Sequence, residues 1–280
     1  MKLAVLSDIH ANFVALQTVL EHLEQWRPDV VVVAGDVVNR GPRPKECLRL
    51  ALQKQREAGW HLLIGNHEEY VLSHTRPDAV RCASHLPLFQ PSAWTCEQVA
   101  EELNALCSWP FWRDLAATRN GAVVRITHAS MLGLRDGIFP ETHETELACK
   151  MGDPLPQVFC VGHTHQPLIR LCSGVLVVNA GAVGVPFDGD PRASYAQITY
   201  HRNAWHAEIV RLPYDRAQAE RDFYDSTFFT GTAPIGRVVF REWQLSRGLL
   251  YSFMAEYAAP VQRGEIRLEE AVKRFLSALS

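Results

Sequence analysis

Short apolar runs rich in β-branched residues punctuate the first part of the chain: KLAVLS at 2–7, VVVVA at 30–34, HLLI at 61–64, AVVRIT at 122–127 and VFCV at 158–161. Their length suits strands, and their lack of alternation is what burial on both faces produces, so they predict mostly parallel strands. Between the first two lies NFVALQTVLEHLEQW, where Phe13, Leu16, Val19, Leu20 and Leu23 share one helical face behind Asn12 as N-cap. A second helix is predicted from Pro44, whose fixed φ suits the first helical position, with Cys47, Leu48, Ala51 and Leu52 inward. Strand, helix, strand, helix, strand specifies the α/β class.

From residue 169 the pattern changes. IRLCSGVLVVNAG, SYAQITYHR and WHAEIVRLP are strands separated by turn residues, among them DGDPR at 188–192. They predict an antiparallel meander forming a second sheet or extending the first. Residues 69–118 read as a helical insert placed to cover a site, with TCEQ at 95–98 as a capping box before VAEELNALC. Its Trp94, Trp109, Phe111 and Trp112 are read as core in preference to a wall for a nucleotide base. Residues 213–280 also read as helical, ending in a stripe of Leu268, Ala271, Val272, Phe275, Leu276 and Leu279. The expected division is a catalytic unit over 1–212 and a helical extension over 213–280, its stripe packed on that unit or on a second subunit.

The polar residues that follow the early strands share one character. Asp8-Ile9-His10 follows the first, Gly35-Asp36 the second, Gly65-Asn66-His67-Glu68 the third, His128 the fourth and Gly162-His163-Thr164-His165 the fifth. Loops at the carboxyl edge of an α/β sheet converge where ligands bind. Two aspartates, an asparagine and several histidines delivered to one edge are metal ligands by type. Two imidazoles flanking Thr164 would point the same way if the strand continued, and burying both is costly unless something uses their lone pairs. Seven donors are too many for one tetrahedral ion and suit two ions sharing a carboxylate, Asp36 or Asp8. The mixed nitrogen and oxygen set suits manganese, iron, zinc, cobalt or nickel better than magnesium.

Composition narrows the picture. The chain has 280 residues, 47% hydrophobic, and a formal charge of −3. That charge removes the footprint of a general nucleic-acid binder. No stretch has the run of apolar residues a membrane span needs, and the amino terminus lacks a signal-like core, so a cytoplasmic location without membrane attachment is expected. Seven cysteines without a C-x-x-C pair are expected to be reduced, mostly buried hydrophobes. His22, His61, His74, His85, His143, His201 and His206 are read as packing or surface residues.

The segments SDIHAN, GDVVNRG, GNHE, TH and GHTH, in that order, resemble the calcineurin-like metallophosphoesterase superfamily over roughly residues 1–212. DIHANFVAL and VVNAGAVGVPFDGDPRASYAQI are most similar to its bacterial and archaeal phosphodiesterase-like branch. The resemblance implies a two-sheet β-sandwich flanked by helices, a four-layer αββα fold. It implies two divalent metals, manganese foremost: Asp8, His10, Asp36 and His165 around one, and Asp36, Asn66, His128 and His163 around the other. It implies phosphoester hydrolysis by a hydroxide bridging the metals, with His67 as the catalytic histidine. Arg40 resembles the phosphate clamp of the protein phosphatase branch, although Asn39 stands where that branch has aspartate. The expected substrate is a small phosphorylated molecule or a phosphoprotein. Diesters, monoesters, phosphoproteins and dinucleoside polyphosphates all stay open, as do the native metal and the oligomeric state. The alternatives are a non-catalytic scaffold of the same fold and a binuclear hydrolase of carbon esters or amides.

Overall fold

The buried apolar runs all become strands in the computed structural model, which describes residues 1–75, 89–116 and 123–279. In chain order the strands are β1 (Lys2–Leu6), β2 (Val30–Val33), β3 (His61–Leu62), β4 (Trp112–Ala116), β5 (Val123–Thr127), β6 (Val158–Val161), β7 (Leu168–Cys172), β8 (Val175–Asn179), β9 (Ala193–His201) and β10 (Ala204–Leu212). The described helices are α1 (Phe13–Trp26), α2 (Pro44–Ala58), α3 (Asn66–Ser73), α4 (Gln90–Gln98), α5 (Leu103–Leu106), α6 (Glu144–Lys150), α7 (Arg216–Asp225), α8 (Phe228–Thr232), α9 (Gly236–Leu245), α10 (Leu250–Gln262) and α11 (Leu268–Ser277).

The strands form two five-stranded sheets, ordered β10-β9-β1-β2-β3 and β4-β5-β6-β8-β7. β1, β2 and β3 run parallel, as do β5, β6 and β8. The late strands divide between the sheets: β7 pairs antiparallel with β8, while the β9–β10 hairpin adds to β1. Leu3, Val5 and Val32 of the first sheet, with Leu63 just past β3, meet Val124, Ile126, Val158 and Cys160 of the second. The outer face of the first sheet buries Leu6 and Val33 against α1 and α2, through Leu16, Val19 and Leu48. On the far side Phe159 and Val177 pack on Leu147 and Met151, in and just after α6. Helix, sheet, sheet, helix is the expected four-layer order, and it sets the ends of β1, β2, β3, β5 and β6 side by side.

The carboxyl-terminal helices share a core with this sandwich. Phe223, Phe228, Val239 and Trp243 pack with Trp94 of α4 and Val185. Trp94 also donates its indole N–H to Thr227 Oγ1 at 3.1 Å. The stripe of α11 packs on α9 and α10, through Ile235, Val238, Leu249 and Phe253.

Three expectations for the insert are corrected. Helix α4 begins at Gln90 with Pro91 in its first turn, so TCEQ closes that helix instead of capping the next. Thr95 is therefore buried mid-helix, its hydroxyl 3.4 Å from Asn39 Oδ1. Residues 112–116 form a strand paired with β5, because Trp112 and Asp114 alternate beside Arg125, whose guanidinium Asp114 grips at 2.9 Å. Trp94 and Trp109 are core, but Trp112 is 41% exposed with Arg125 stacked over it. The rest of the insert expected as helix, residues 76–88 and 117–118, lies outside the described residues, as do His85 and Cys82.

Among the six described cysteines no disulfide forms; Cys47, Cys160 and Cys172 are buried, whereas Cys107 and Cys149 are exposed. No helix among the described residues is long and apolar enough to cross a membrane.

Candidate metal centre

The loops leaving the strands turn abruptly. Asp8, His10, Asp36, His163 and His165 all take positive φ, between +46° and +68°. Non-glycine residues rarely adopt this region, and such strain persists where the surroundings over-determine it, usually at functional sites. The expected strand-like continuation through His163-Thr164-His165 is therefore corrected: the strand stops at Val161 and the backbone turns left-handed at both histidines. Their rings consequently serve different halves of one cluster. Glycines let the loops close. A Cβ on Gly162 would lie 1.8 Å from Ser7 Oγ and 2.5 Å from Asp8 Oδ2, and one on Gly35, at φ +87°, would lie 2.7 Å from the backbone of Gly65.

All seven predicted ligands meet. Donor atoms of Asp8, His10, Asp36 and His165 lie within 4.8 Å of one another, all buried. His165 Nε2 is 3.2 Å from Asp8 Oδ1 and 3.2 Å from His10 Nε2. Next to them, Asn66 Oδ1 is 2.8 Å from His128 Nε2 and 2.9 Å from His163 Nδ1. Asp36 Oδ2 joins the two groups, 3.6 Å from His10 Nε2 and 3.3 Å from His128 Nε2. Of the two candidate bridges, Asp36 is the one so placed.

The atoms around the ligands fix their presentation. His128 Nδ1 donates to Ala34 O at 2.8 Å and His165 Nδ1 donates to Val185 O, which turns both Nε2 atoms into the cluster. Asp36 Oδ1 accepts the backbone N–H of His67 at 2.9 Å, and Asp8 Oδ2 that of His163 at 2.8 Å. The other carboxylate oxygens, Asp8 Oδ1 and Asp36 Oδ2, are buried without a hydrogen bond, as is His10 Nδ1. Buried carboxylate oxygens left bare are costly. Cations at these positions would satisfy both, so the donor set fits two divalent ions.

The electrostatics agree. Burial opposes ionisation of Asp36 and Asp8, but the imidazoles of His128 and His67 at Asp36, and of His165 and His10 at Asp8, hold both carboxyls below the ordinary range. Burial keeps His10 low, and burial with His128 beside it holds His163 down to about 4. His128 alone is raised, to about 9, because Asp36 outweighs its burial. The ionised carboxylates and the lowered His10 and His163 suit metal ligation, and His128 would release its proton to a cation taking its place beside Asp36.

His67 and Arg40 sit at the rim. Burial holds the His67 imidazole well below its ordinary value, against the pull of Asp36. Its Nδ1 is 2.8 Å from Asn39 Nδ2, and Arg40 Nε approaches its Nε2 at 3.2 Å. Arg40 also pairs with the buried Glu242 at 2.6 Å and stacks over Phe187, which itself lies 4.1 Å from the His165 ring. The other described histidines stay outside the cluster: His22 meets the Tyr195 hydroxyl, His74 meets Ser92, and His143 caps α6. Asn12 is the N-cap of α1, accepting from Ala15 N at 3.1 Å.

Three residues that organise the site were not assigned from sequence. Glu68 is fully buried, and its carboxylate accepts from the backbone N–H groups of Asp36, Val37, Val38 and Gly65, tying the loops after β2 and β3 together. Its signal was present: a glutamate three residues after the N-cap Gly65 can reach back to that residue's backbone N–H, half of a capping box. Burial, with Asp36 nearby, pushes its carboxyl up to about 7. Asn179 donates to Gly162 O and Thr164 Oγ1, fixing the turn that carries His163 and His165. Glu242 also accepts the N–H groups of Leu249 and Leu250 at 2.7 Å, and its signal was a charge inside the apolar stripe of Val238, Val239 and Trp243.

A four-layer αββα sandwich with a buried Asp/His cluster at one strand edge defines a metal-dependent hydrolase scaffold. Residues 1–167 match the model of the calcineurin-like phosphoesterase family, and the chain belongs to that family of metallophosphoesterases, which bind divalent metals at a dinuclear centre. It is similar to a metallophosphoesterase of Sphaerobacter thermophilus, with a TM-score of 0.68 and 28% identity, covering 88% of this chain and 100% of that one. It is also similar to the phosphodiesterase YfcE of Escherichia coli, 25% identical over 201 residues, which cover 71% of this chain and 87% of that protein. A hypothetical protein of Pyrococcus horikoshii shares the fold, with a TM-score of 0.70 at 18% identity, covering 85% of this chain and 97% of that one.

Proposed function

We propose that the cluster holds two divalent metal ions sharing Asp36 Oδ2, manganese foremost, and that the chain hydrolyses small phosphodiesters. The observation that carries this is Asp36 Oδ2 itself, an ionised, buried oxygen with no hydrogen bond, set between the His10 and His128 donor groups. When bound, a metal pair polarises a phosphoryl oxygen and supplies a nucleophile near neutral pH.

The chain's own residues do the rest. Arg40 and Asn39 present N–H groups to both nitrogens of His67, and a neutral imidazole has one lone pair to offer them. An arriving phosphate draws the Arg40 guanidinium to itself, since an arginine grips two oxygens of an anion at once. His67 then accepts from Asn39 at Nδ1 and carries its proton on Nε2, free to hydrogen-bond the leaving oxygen. As a neutral donor it would stabilise the charge developing on that oxygen, an effect worth roughly 10² to 10³-fold for one well-placed donor.

Charge favours a diester over a monoester. Arg40 is the one lysine or arginine among the described residues that line the cleft, and Glu242 already neutralises it. Beyond the charge of the metal pair, then, the cleft offers no uncompensated cation to the second charge of a dianionic monoester, which suits a singly charged phosphodiester better. The similarity to a protein named as a phosphodiesterase supports the same reading.

The test is turnover by the manganese-loaded protein on bis(p-nitrophenyl) phosphate, p-nitrophenyl phosphate and p-nitrophenyl acetate. Faster turnover of the diester, lost on chelation and reduced about 10² to 10³-fold in His67→Ala with metal content intact, is expected. Hydrolysis confined to the acetate, or metal loss in His67→Ala, would overturn it.

A further inference from the structure

The cleft above the metal cluster has two chemically unlike ends. It is a cavity of about 300 Å³ with a polar floor that includes Asp36, Asn66, His67 and His163. Its opposite wall is built by Tyr70, Phe89, Leu250, Tyr251 and Met254, and among the described residues this wall carries no charged side chain. The wall is drawn from three places: α3, the residue that precedes α4, and the first two turns of α10. Tyr70 packs edge-on to His67 with centroids 5.3 Å apart and stands 6.4 Å from Phe89, so the ring surface runs outward from the reactive end of the floor. Tyr251 is 87% exposed at the cleft, a large ring left in water. An exposed aromatic beside a polar cluster marks a place where a ligand completes the packing.

We infer that this wall is a subsite for a flat aromatic substituent, aryl or nucleobase, of the phosphoester. The inference rests on the phosphoesterase reading of the same site and adds the substrate class to it. An anionic phosphate satisfies the floor and an uncharged ring satisfies the wall, whose neighbouring cation, Arg135, already lies over Tyr70 at 4.8 Å and pairs with Glu69 at 2.9 Å. Rings meet rings in edge-on or offset stacks, and the sulfur of Met254 adds a polarizable contact. A cavity of this size holds one ring system and a phosphate.

The experiment is calorimetric titration of the manganese-loaded full chain with phenylphosphonate and with methylphosphonate, which share the anion and differ in the ring. The wild type should bind phenylphosphonate on the order of tenfold more tightly, within the range that stacking one ring supplies. Tyr251→Ala should bring that ratio to within about twofold of one, and Tyr251→Phe should keep it, because the ring and not the hydroxyl carries the preference. Tyr251 is exposed, so its truncation leaves the folded core intact. Equal affinities in the wild type, or a ratio unmoved in Tyr251→Ala, would overturn the aromatic subsite and leave the phosphodiesterase reading standing. Binding of neither phosphonate, together with no diester turnover, would overturn that reading and the subsite with it.

Discussion

The donor group around His10 and the donor group around His128 share Asp36, yet they are built differently. The first combines two carboxylates, Asp8 and Asp36, with His10 and His165, and every member is buried. The second relies on the shared carboxylate alone, with the neutral amide of Asn66, and its His163 is half-buried at the cleft that the buried His165 of the first half also lines. More negative charge and less water make a tighter cation site. The difference teaches that, on the two-ion proposal, the half around Asp8 should hold its ion more firmly than the half around Asn66.

The strongest way to break this asymmetry is to remove what the halves share. Asp36→Ala should abolish both sites, taking metal content from two ions per chain towards none and activity down by at least about 10³-fold, read by elemental analysis and turnover. Asn66→Ala separates the halves: one ion per chain should remain and turnover should fall by about 10²-fold or more. Asn179→Ala perturbs both halves through the turn holding His163 and His165, and should weaken metal affinity about 10 to 100-fold, as loss of groups that orient ligands does, measured by titration calorimetry. Glu68→Ala strands four buried backbone N–H groups and should lower stability by at least about 3 kcal/mol, read by denaturant unfolding in chelator. Glu242→Gln keeps an oxygen for the N–H groups of Leu249 and Leu250 but leaves the Arg40 charge uncompensated, so it should lower KM for an anionic substrate several-fold, more for a monoester than for a diester, with both ions retained.

The ligands and the residues that support them were unequally legible too. Each ligand stands within four residues of a buried strand's end, so its strand announces it, and the order of the five segments names the family. What pattern could not supply was direction: His163 and His165 looked like same-face neighbours, and only their left-handed backbone sends them to opposite halves. The supporting residues were hidden for a different reason. Glu68 acts on loops about thirty residues away, and Glu242 reaches Arg40 across 202 residues, so their roles exist only after the chain has folded. Tyr70, Phe89 and Tyr251 are ordinary aromatics in helical segments, whereas the tryptophans that stood out in the insert are chiefly packing.

The central claim is that Asp36 ties two cation sites into one centre. Anomalous diffraction from crystals soaked in manganese tests it most directly. The account predicts two peaks, the stronger among Asp8, His10 and His165 and the weaker among Asn66, His128 and His163, with Asp36 Oδ2 ligating both. One peak or none at full manganese loading, or two peaks without a shared Asp36 oxygen, would contradict it.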